Sequence, residues 1–316
     1  LDRPANAVTV EVRRMGGAFG GKESQAAQWA ALAALVAAKT GRAAKCRLDR
    51  DDDMILTGKR HELAGKWSVG FDDKGRIQAA DVEMATRCGC SKDLSDAISD
   101  RAMFHLDNSY YLDQVRILCK RMRTDTVSNT AFRGFGGPQG MMIGERMIED
   151  VARFVGKDTL DVRKANFYGG AGRDTTPYYM QVKDFVLPEM IEELEVSSDY
   201  RKRREAITEF NKTSQIIKRG LALTPVKFGI SFTTTFLNQA GALIHIYKDG
   251  SILLNHGGTE MGQGLFLKVA QIVAEEFQCD VDRIKITATN TAKVPNTSAT
   301  AASSGTDMNG MAAMIA

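Results

Sequence analysis

Alternating and helical patterns of apolar residues divide the chain into strands and helices that are separated by loops. Residues 7–13 alternate β-branched and polar side chains, which predicts a strand. An Ala-rich apolar stretch that stops at Gly41 predicts a buried helix. The runs 67–71 and 77–84 flank a turn that ends in Gly75, and they predict a hairpin.

The middle of the chain has a different pattern, in which helical periodicity dominates. Residues 139–155 predict a helix that Gly144 interrupts, and residues 168–177 predict a loop. Residues 189–212 form a charged helical stretch. Its basic run, 201–204, is interpreted as a solvated helix face, and a contact with a partner subunit is the alternative. We expect the boundary between two halves of the chain here.

The second half mixes strands and helices in the same way as the first half. Residues 242–247 and 252–255 predict a hairpin, residues 265–277 a helix and residues 283–289 a strand. A helix begins in the last stretch, 307–316. Hairpins combined with crossover helices predict an α+β (mixed α/β) fold.

Length and charge limit the classes of protein to which the chain can belong. At about 150 residues per domain, 316 residues predict two domains, which we assign to 1–190 and 191–316. The net charge of +3 is too small to indicate a nucleic-acid or membrane-surface partner, and we expect neither. The longest apolar run, 29–38, is shorter than the about 20 residues that span a bilayer. Since residue 1 is Leu and a helix is beginning at the other end, we expect a piece of a longer chain.

The cysteines and acidic residues offer few candidates for metal binding. Five cysteines are an odd number, and this predicts free thiols in a reducing, cytoplasmic compartment. Cys88 and Cys90 lack the spacing of zinc or iron–sulfur ligands. Residues 49–53 predict a helix cap, and a divalent-cation site is the alternative. The four histidines are scattered and are interpreted as structural.

Four polar or glycine-rich loops, each before a predicted helix, are the most informative feature. They cover residues 15–23, 131–140, 256–264 and 295–310. Glycine lets a backbone approach a ligand closely, and helix N-termini offer free N–H groups to anions. The loops therefore predict a large, oxygen-rich cofactor that is held mostly by backbone. The alternative is that these glycines only form turns.

The first loop matches nucleotide-binding motifs only in part. Gly16, Gly21 and Lys22 match a P-loop, but Glu23 replaces the required Ser or Thr and would repel a triphosphate. The dinucleotide pattern fails at Ala18. A nucleotide site of either kind is therefore disfavoured.

Taken together, the loops resemble the molybdenum-cofactor part of the xanthine dehydrogenase/oxidase family. The resemblance runs in order over nearly the whole chain. Its motifs are Met-Gly-Gly-Ala-Phe-Gly-Gly-Lys-Glu (15–23), Ser-Asn-Thr-Ala-Phe-Arg-Gly-Phe-Gly-Gly-Pro-Gln-Gly-Met (128–141), Phe-Gly-Ile-Ser-Phe-Thr (228–233), Leu-Asn-Gln-Ala-Gly (237–241), His-Gly-Gly-Thr-Glu-Met-Gly-Gln-Gly-Leu (256–265) and Val-Pro-Asn-Thr-Ser-Ala-Thr-Ala-Ala-Ser (294–303).

The resemblance implies a fold, cofactors and partners. It implies two successive molybdopterin-binding domains, of which the second is truncated here. Molybdenum on a pterin, with a sulfido ligand, would oxidise hypoxanthine or xanthine with oxygen from water. Electrons would pass to 2Fe–2S clusters and FAD on partner domains or subunits. The complete enzyme would be a homodimer that also contains the missing N- and C-terminal parts of this subunit.

The resemblance also implies residue roles. Positions that line the metal, largely through backbone, are Phe19, Arg133 and Ala302. Positions that contact the pterin cofactor are Gly20, Gly262, Gln263 and Ser303. Positions that bind substrate are Glu23, Arg101, Phe135, Phe232 and Thr233. Glu23 and Arg101 together favour a purine, because related aldehyde oxidases typically have apolar residues at both positions.

Some features of the family are not matched in this chain. The catalytic-base glutamate of a later Gly-Glu motif would lie beyond Ala316, and a glutamine near the metal would precede Leu1, so we expect no turnover by the chain alone. Gly305 replaces a serine of many relatives, and Glu260 does not occupy the base position. The alternatives are an aldehyde or N-heterocycle oxidase, and a scaffold that binds no cofactor.

Overall fold

The structure is a computed structural model, and it describes residues 2–170, 172–293 and 297–316. Residues 294–296, which begin the last motif of the sequence, therefore lie outside the described residues. The α-helices are α1 (Ala26–Thr40), α2 (Arg50–Leu56), α3 (Ser95–Phe104), α4 (Gly137–Val155), α5 (Thr159–Asn166), α6 (Leu187–Ser197), α7 (Tyr200–Thr213), α8 (Leu265–Phe277) and α9 (Gly305–Ile315). The strands are β1 (Glu11–Val12), β2 (Leu63–Phe71), β3 (Ile77–Gly89), β4 (Gln114–Arg123), β5 (Ala242–Ile246), β6 (Ile252–His256), β7 (Ile284–Ile286) and β8 (Thr289–Asn290).

The first hydrophobic core lies between a three-stranded sheet and α4. The sheet order is β2-β3-β4, with β2 antiparallel and β4 parallel to β3. Val82 and Met84 alternate with more exposed residues on β3, and they pack against Met147 and Val151 of α4. Period-2 alternation on the strand and helical spacing on α4 therefore bury one face of each element. This confirms the mixed α+β fold.

Glycines of α4 bring this helix unusually close to α3. A Cβ at Gly140 would lie 2.0 Å from the carbonyl oxygen of Ala102, and one at Gly144 would lie 2.1 Å from that of Leu106. The prediction that Gly144 interrupts the helix is wrong, since α4 continues through it. Gly144 is needed where α4 contacts the chain just after α3, and Gly140 lets α3 lie beside the first turn of α4.

The second core is smaller and is built by the last part of the chain. Its sheet order is β5-β6-β7, and α8 and α9 cover one face. Ile252 and Leu254 of β6 pack with Leu265 and Val269 of α8 and with Ala313 of α9. The predicted hairpin and the predicted helix 265–277 are confirmed.

A short two-stranded sheet joins the two halves of the molecule. Glu11 of β1 pairs with Asn290 of β8, and Val12 pairs with Thr289. The predicted strand 7–13 is therefore reduced to two residues. The predicted strand 283–289 is not continuous: it contains β7, then two residues outside any strand and then the first residue of β8. Both segments alternate in sequence, but neither has a neighbour along its whole length.

The charged stretch 189–212 forms α6 and α7, which meet at Asp199 (φ 51°). Ile191 of α6, Tyr200 of α7 and Leu223 belong to the first core. The domain boundary at 190/191 stays a prediction. Within the described residues, no helix is both long and apolar enough to cross a membrane.

Candidate functional site

The four sequence loops meet at one cavity of about 890 Å³. Both halves of the molecule contribute to its walls. Ten of the predicted site residues line it, namely Phe19, Gly20, Glu23, Arg101, Arg133, Phe135, Gly262, Gln263, Ala302 and Ser303. The structure therefore brings together residues that lie far apart along the chain.

Backbone hydrogen bonds join the first loop to the third. The Met15 N–H donates to the carbonyl oxygen of Glu260 (3.0 Å), and the Gly17 N–H donates to that of Met261 (3.1 Å). Met15 and Gly17 follow β1 closely along the chain, so the β1–β8 pair and the wall of the cavity are continuous. The position of the first loop is therefore fixed by the second half of the molecule.

The remaining loops are joined by close packing and by single hydrogen bonds. A Cβ at Gly20 would lie 2.9 Å from the backbone nitrogen of Phe132, so the first loop needs glycine to contact the second. The Thr259 N–H donates to Oγ1 of Thr300 (2.8 Å), which joins the third loop to the fourth.

Several residues that line the cavity have left-handed backbone conformations. Their φ values are 52° for Phe19, 50° for Phe135, 55° for Ala302 and 59° for Ser303. Such conformations cost free energy in residues with a Cβ and are concentrated at functional sites.

The third loop is held by its own acidic residue. One carboxylate oxygen of Glu260 accepts from the N–H groups of Gly262 (2.8 Å) and Gly264 (3.1 Å), and the other accepts from that of Phe266 (3.1 Å). Burial raises the pKa of Glu260, but these hydrogen bonds outweigh it and the pKa is lowered. The side chain of Gln263 also folds back, with its amide nitrogen donating to the Thr259 carbonyl oxygen (3.0 Å). Glu260 therefore occupies the N-terminus of α8, which the sequence predicted to be free for an anion.

The charged side chains that line the cavity are mostly cationic. Lys22, Arg101, Arg133 and Lys268 surround it, and Glu23 is the carboxylate among its described lining residues. Lys22 comes from the first half and Lys268 from α8. An excess of cations in a concave site attracts anionic ligands. The lining therefore fits a phosphate-bearing cofactor.

Glu23 is the titratable group of the cavity that has a pKa near neutrality. Burial among the surrounding atoms and the negative charge of Asp93 raise its pKa to about 7. Asp93 has a buried carboxylate oxygen without a partner among the described residues. Glu23 can therefore be protonated or charged near pH 7, which lets it either donate or accept a hydrogen bond.

Arg101 of α3 is buried and held by backbone carbonyl groups. Its Nη1 donates to the carbonyl oxygen of Gly229 (2.7 Å), and its Nη2 donates to that of Ser231. The guanidinium lies over the ring of Phe228, 5.5 Å from the centroid. Arg101 is therefore anchored by the segment that leads to Phe232.

Phe232 and Thr233 are not among the described residues that line the cavity. The backbone of Phe232 is bound to the side chain of Asn238 through its N–H (2.9 Å) and its carbonyl oxygen (2.9 Å). Phe228 lines the cavity instead, although its side chain was not among the predicted site residues. Its place at the start of the motif 228–233 is the sequence signal that could have identified it.

Residues 49–53 form the helix cap that the sequence predicts. The carboxylate of Asp49 caps α2 by accepting from the Asp52 N–H (2.8 Å). The five cysteines are free thiols. Among the described residues, no cluster of three or more His, Cys, Asp or Glu side chains could hold a metal ion.

Comparison with known families and proteins agrees with this geometry. Models of a molybdopterin cofactor-binding domain match residues 1–167 and residues 193–316. The chain is 48% identical over 99% of its length to xanthine dehydrogenase/oxidase of Gallus gallus and 45% identical over its whole length to xanthine dehydrogenase 1 of Arabidopsis thaliana. It spans 23% of the length of each of these relatives.

Solved structures show the same fold. An aldehyde oxidoreductase from Desulfovibrio desulfuricans has a TM-score of 0.81 and 23% sequence identity, and the match covers 95% of this chain and 32% of that one. Quinoline 2-oxidoreductase from Pseudomonas putida has a TM-score of 0.79 and 19% identity, covering 99% of this chain and 41% of that one. The chain belongs to the molybdopterin cofactor-binding domain family, and it is similar to the part of xanthine dehydrogenase/oxidase that these domains form.

Proposed function

We propose that the cavity binds a molybdenum–pterin cofactor and that the chain is the substrate- and cofactor-binding part of a purine-oxidising xanthine dehydrogenase. The observation that supports this most is the convergence of four backbone-rich loops on one cationic cavity. Gly20, Gly262, Gln263 and Ser303 would contact the pterin, and Lys22 and Lys268 would balance the charge of its phosphate. Positions that would surround the metal are Phe19, Arg133 and Ala302.

When bound, the cofactor would supply, with a sulfido ligand, the metal centre that accepts two electrons from the substrate, while water supplies the oxygen. The chain's own residues would bind and orient the substrate. Phe135 would stack on the purine face. Arg101 would stabilise negative charge on a purine oxygen, and Glu23 would hydrogen-bond a ring nitrogen.

Phe232 would meet the purine ring edge-on and Thr233 would donate a hydrogen bond near the substrate, although neither is among the described residues that line the cavity. No proton abstraction is assigned to a residue of this chain, because Glu260 is committed to the backbone of the third loop. We propose that the base is supplied by another part of a larger enzyme. That enzyme would also carry the 2Fe–2S and FAD groups, form a homodimer and reside in the cytoplasm.

The first test measures cofactor content. The chain is purified from a host that makes the cofactor, and molybdenum is quantified by elemental analysis and pterin by fluorescence after oxidation. About one molybdenum and one pterin per chain is the expected result. If neither is present in the chain or in the full-length protein, cofactor binding is contradicted and a scaffold is favoured.

The second test concerns the substrate and uses the full-length enzyme. Replacing the polar pair (Glu23→Val with Arg101→Met) should lower kcat/KM for xanthine by about a hundredfold, since two charged contacts are lost in the transition state. Oxidation of an aromatic aldehyde should persist. Unchanged purine kinetics in the double variant would favour an aldehyde or N-heterocycle oxidase.

A further inference from the structure

The segment 225–231 is bound to the first core by a set of buried polar groups. Asn108, which is 1% exposed, uses its amide fully. Its Nδ2 donates to the carbonyl oxygen of Pro225 (2.9 Å) and to Oε1 of Glu145 (2.9 Å), and its Oδ1 accepts from the Lys227 N–H (2.9 Å). The amide therefore holds the backbone on both sides of residue 226.

A buried ion pair holds the same segment beside this amide. Nζ of Lys227 donates to Oδ2 of Asp107, which also accepts from the hydroxyl of Tyr168 (2.5 Å). Asp107 is 1% exposed, and Nζ lies 4.9 Å and 5.5 Å from the ring centroids of Tyr168 and Tyr178. The Asp107 carboxylate and the two tyrosine rings restrict Nζ of Lys227 to a narrow range of positions, so the ion pair fixes the location of residue 227.

His105 makes the third connection. Its Nε2 accepts from the Gly229 N–H (3.2 Å), so this nitrogen carries no proton, and Nδ1 donates to the carbonyl oxygen of Arg101 (2.9 Å). Burial, with the nearby charges of Arg101 and Lys227, lowers the pKa of His105 to about 4, although its bond to the Arg101 carbonyl raises it. The imidazole is therefore neutral and links the backbone of α3 to the segment.

The segment in turn orients the side chain of Arg101. The carbonyl oxygens of Gly229 and Ser231 accept from its two terminal nitrogens, and the ring of Phe228 lies beneath its guanidinium. The same segment reaches the fourth loop, because the Ser231 N–H donates to the Ala302 carbonyl oxygen (2.8 Å). A displacement of the segment would therefore move the guanidinium relative to the cavity.

We propose that Asn108, His105 and the Asp107–Lys227 pair are positioning residues that orient Arg101 and thereby determine selectivity for purines over aldehydes. This inference rests on the proposed function. None of the four residues lines the cavity, so each acts through the segment 225–231. Selectivity follows because the Arg101 guanidinium must be correctly placed to stabilise negative charge on a purine oxygen. An aldehyde substrate would not depend on this contact.

The main test uses Asn108→Ala in the full-length enzyme, with kcat/KM measured for xanthine and for an aromatic aldehyde. We expect kcat/KM for xanthine to fall about tenfold or more, because a displacement of a positioned group by about 1 Å strongly lowers the reaction rate. We expect kcat/KM for the aldehyde to stay unchanged. Asn211→Ala is the matched control. Asn211 makes the same pair of bonds to the backbone of Arg219 (2.9 Å each), on the exposed end of α7.

A second variant avoids leaving a buried charge without a partner. Asp107→Asn combined with Lys227→Met removes both charges together, which is often nearly neutral for stability. It should also lower the ratio of xanthine to aldehyde kcat/KM. In the chain itself, hydrogen exchange of the Lys227 and Gly229 amides should become faster in both variants and stay unchanged in Asn211→Ala.

The outcomes separate this inference from the proposed function. An equal fall for both substrates, or an unchanged ratio in both variants, overturns the inference and leaves the proposed function standing. If the two amides exchange as slowly in both variants as in the unmodified chain, these side chains do not hold the segment 225–231 in place, and the inference is overturned. Absence of xanthine oxidation by the unmodified enzyme, with its cofactor loaded, overturns the proposed function and the selectivity together.

Discussion

Glu23 and Glu260 lie in loops around one cavity, yet their carboxyl groups have opposite pKa shifts. Burial raises both pKa values, but Glu260 accepts three backbone N–H bonds that more than offset this effect. For Glu23 no hydrogen bond within the described residues offsets burial, and the charge of Asp93 adds to it, so the pKa rises to about 7. Local hydrogen bonding, which composition does not reveal, therefore decides the charge of each residue.

The titration of Glu23 should show this cause directly. We expect a midpoint near pH 7 by 13C NMR of labelled glutamates, with the signal assigned by Glu23→Gln. Asp93→Asn should lower the midpoint, but not to 4.5, because burial is the larger cause. Between pH 4.5 and 7 the carboxyl group of Glu23 is protonated to a larger extent in the folded chain than in the unfolded chain, so its contribution to the free energy of unfolding should decrease as pH rises. A midpoint unaffected by Asp93→Asn would contradict this account.

At the scale of elements, the partly buried carboxylate of Glu145 joins α4 to α5 and to the chain after α3. Oε2 of Glu145 accepts from Nε of Arg163 (2.9 Å), and its Oε1 accepts from the hydroxyl of Tyr110 (2.5 Å) and from Asn108. Arg163 is fully buried. The network therefore fixes the turn that carries Asn108 and, through it, the segment 225–231.

Removal of the carboxylate should destabilise the first core strongly. Glu145→Ala leaves the Arg163 charge buried without its main partner, and we expect the free energy of unfolding to fall by about 3–5 kcal/mol. Asp150→Ala is the control, since its ion pair with Arg146 on the same helix is exposed and contributes about 0–1 kcal/mol. Urea denaturation measures both. Similar values for the two variants would show that the buried network adds little stability.

At the scale of the whole molecule, two hydrophobic cores with separate sheets meet at the cavity. The β1–β8 pair and the contacts between the first and third loops connect them. Lys22 and Lys268 face the cavity from opposite halves. A ligand that contacts both residues binds the folded arrangement of both halves, and it should therefore stabilise them together.

This coupling predicts the effect of removing one cation from each half. Lys22→Ala and Lys268→Ala should each lower the cofactor content of the chain and weaken binding of a phosphorylated pterin by about tenfold, with the loss increasing at low salt. Lys212→Ala on the exposed surface of α7 is the control. Isothermal titration calorimetry measures the affinities. Equal affinity in all variants would contradict a contribution of the two lysines to phosphate binding.

Part of the fold could be predicted from local pattern alone. Helix 265–277 and the two hairpins have regular periodicity and clear turn residues, and the structure agrees with them. α3, β4 and α5 were not predicted, because polar residues make up half or more of each sequence and the structure that each adopts depends on its neighbours. β4, for example, is rich in Arg and Lys and is a strand only because it pairs with β3.

Residue type and spacing were sufficient to predict the family, the four loops and the chemistry of most residues that line the cavity. Which of these groups meet, and in which charge state, depends on the folded arrangement. Glu23 has a pKa near 7 because other elements surround it, and Glu260 is committed to α8 because the third loop folds over it. Arg101 is anchored by residues 229–231, more than a hundred positions away, through contacts that no local pattern encodes.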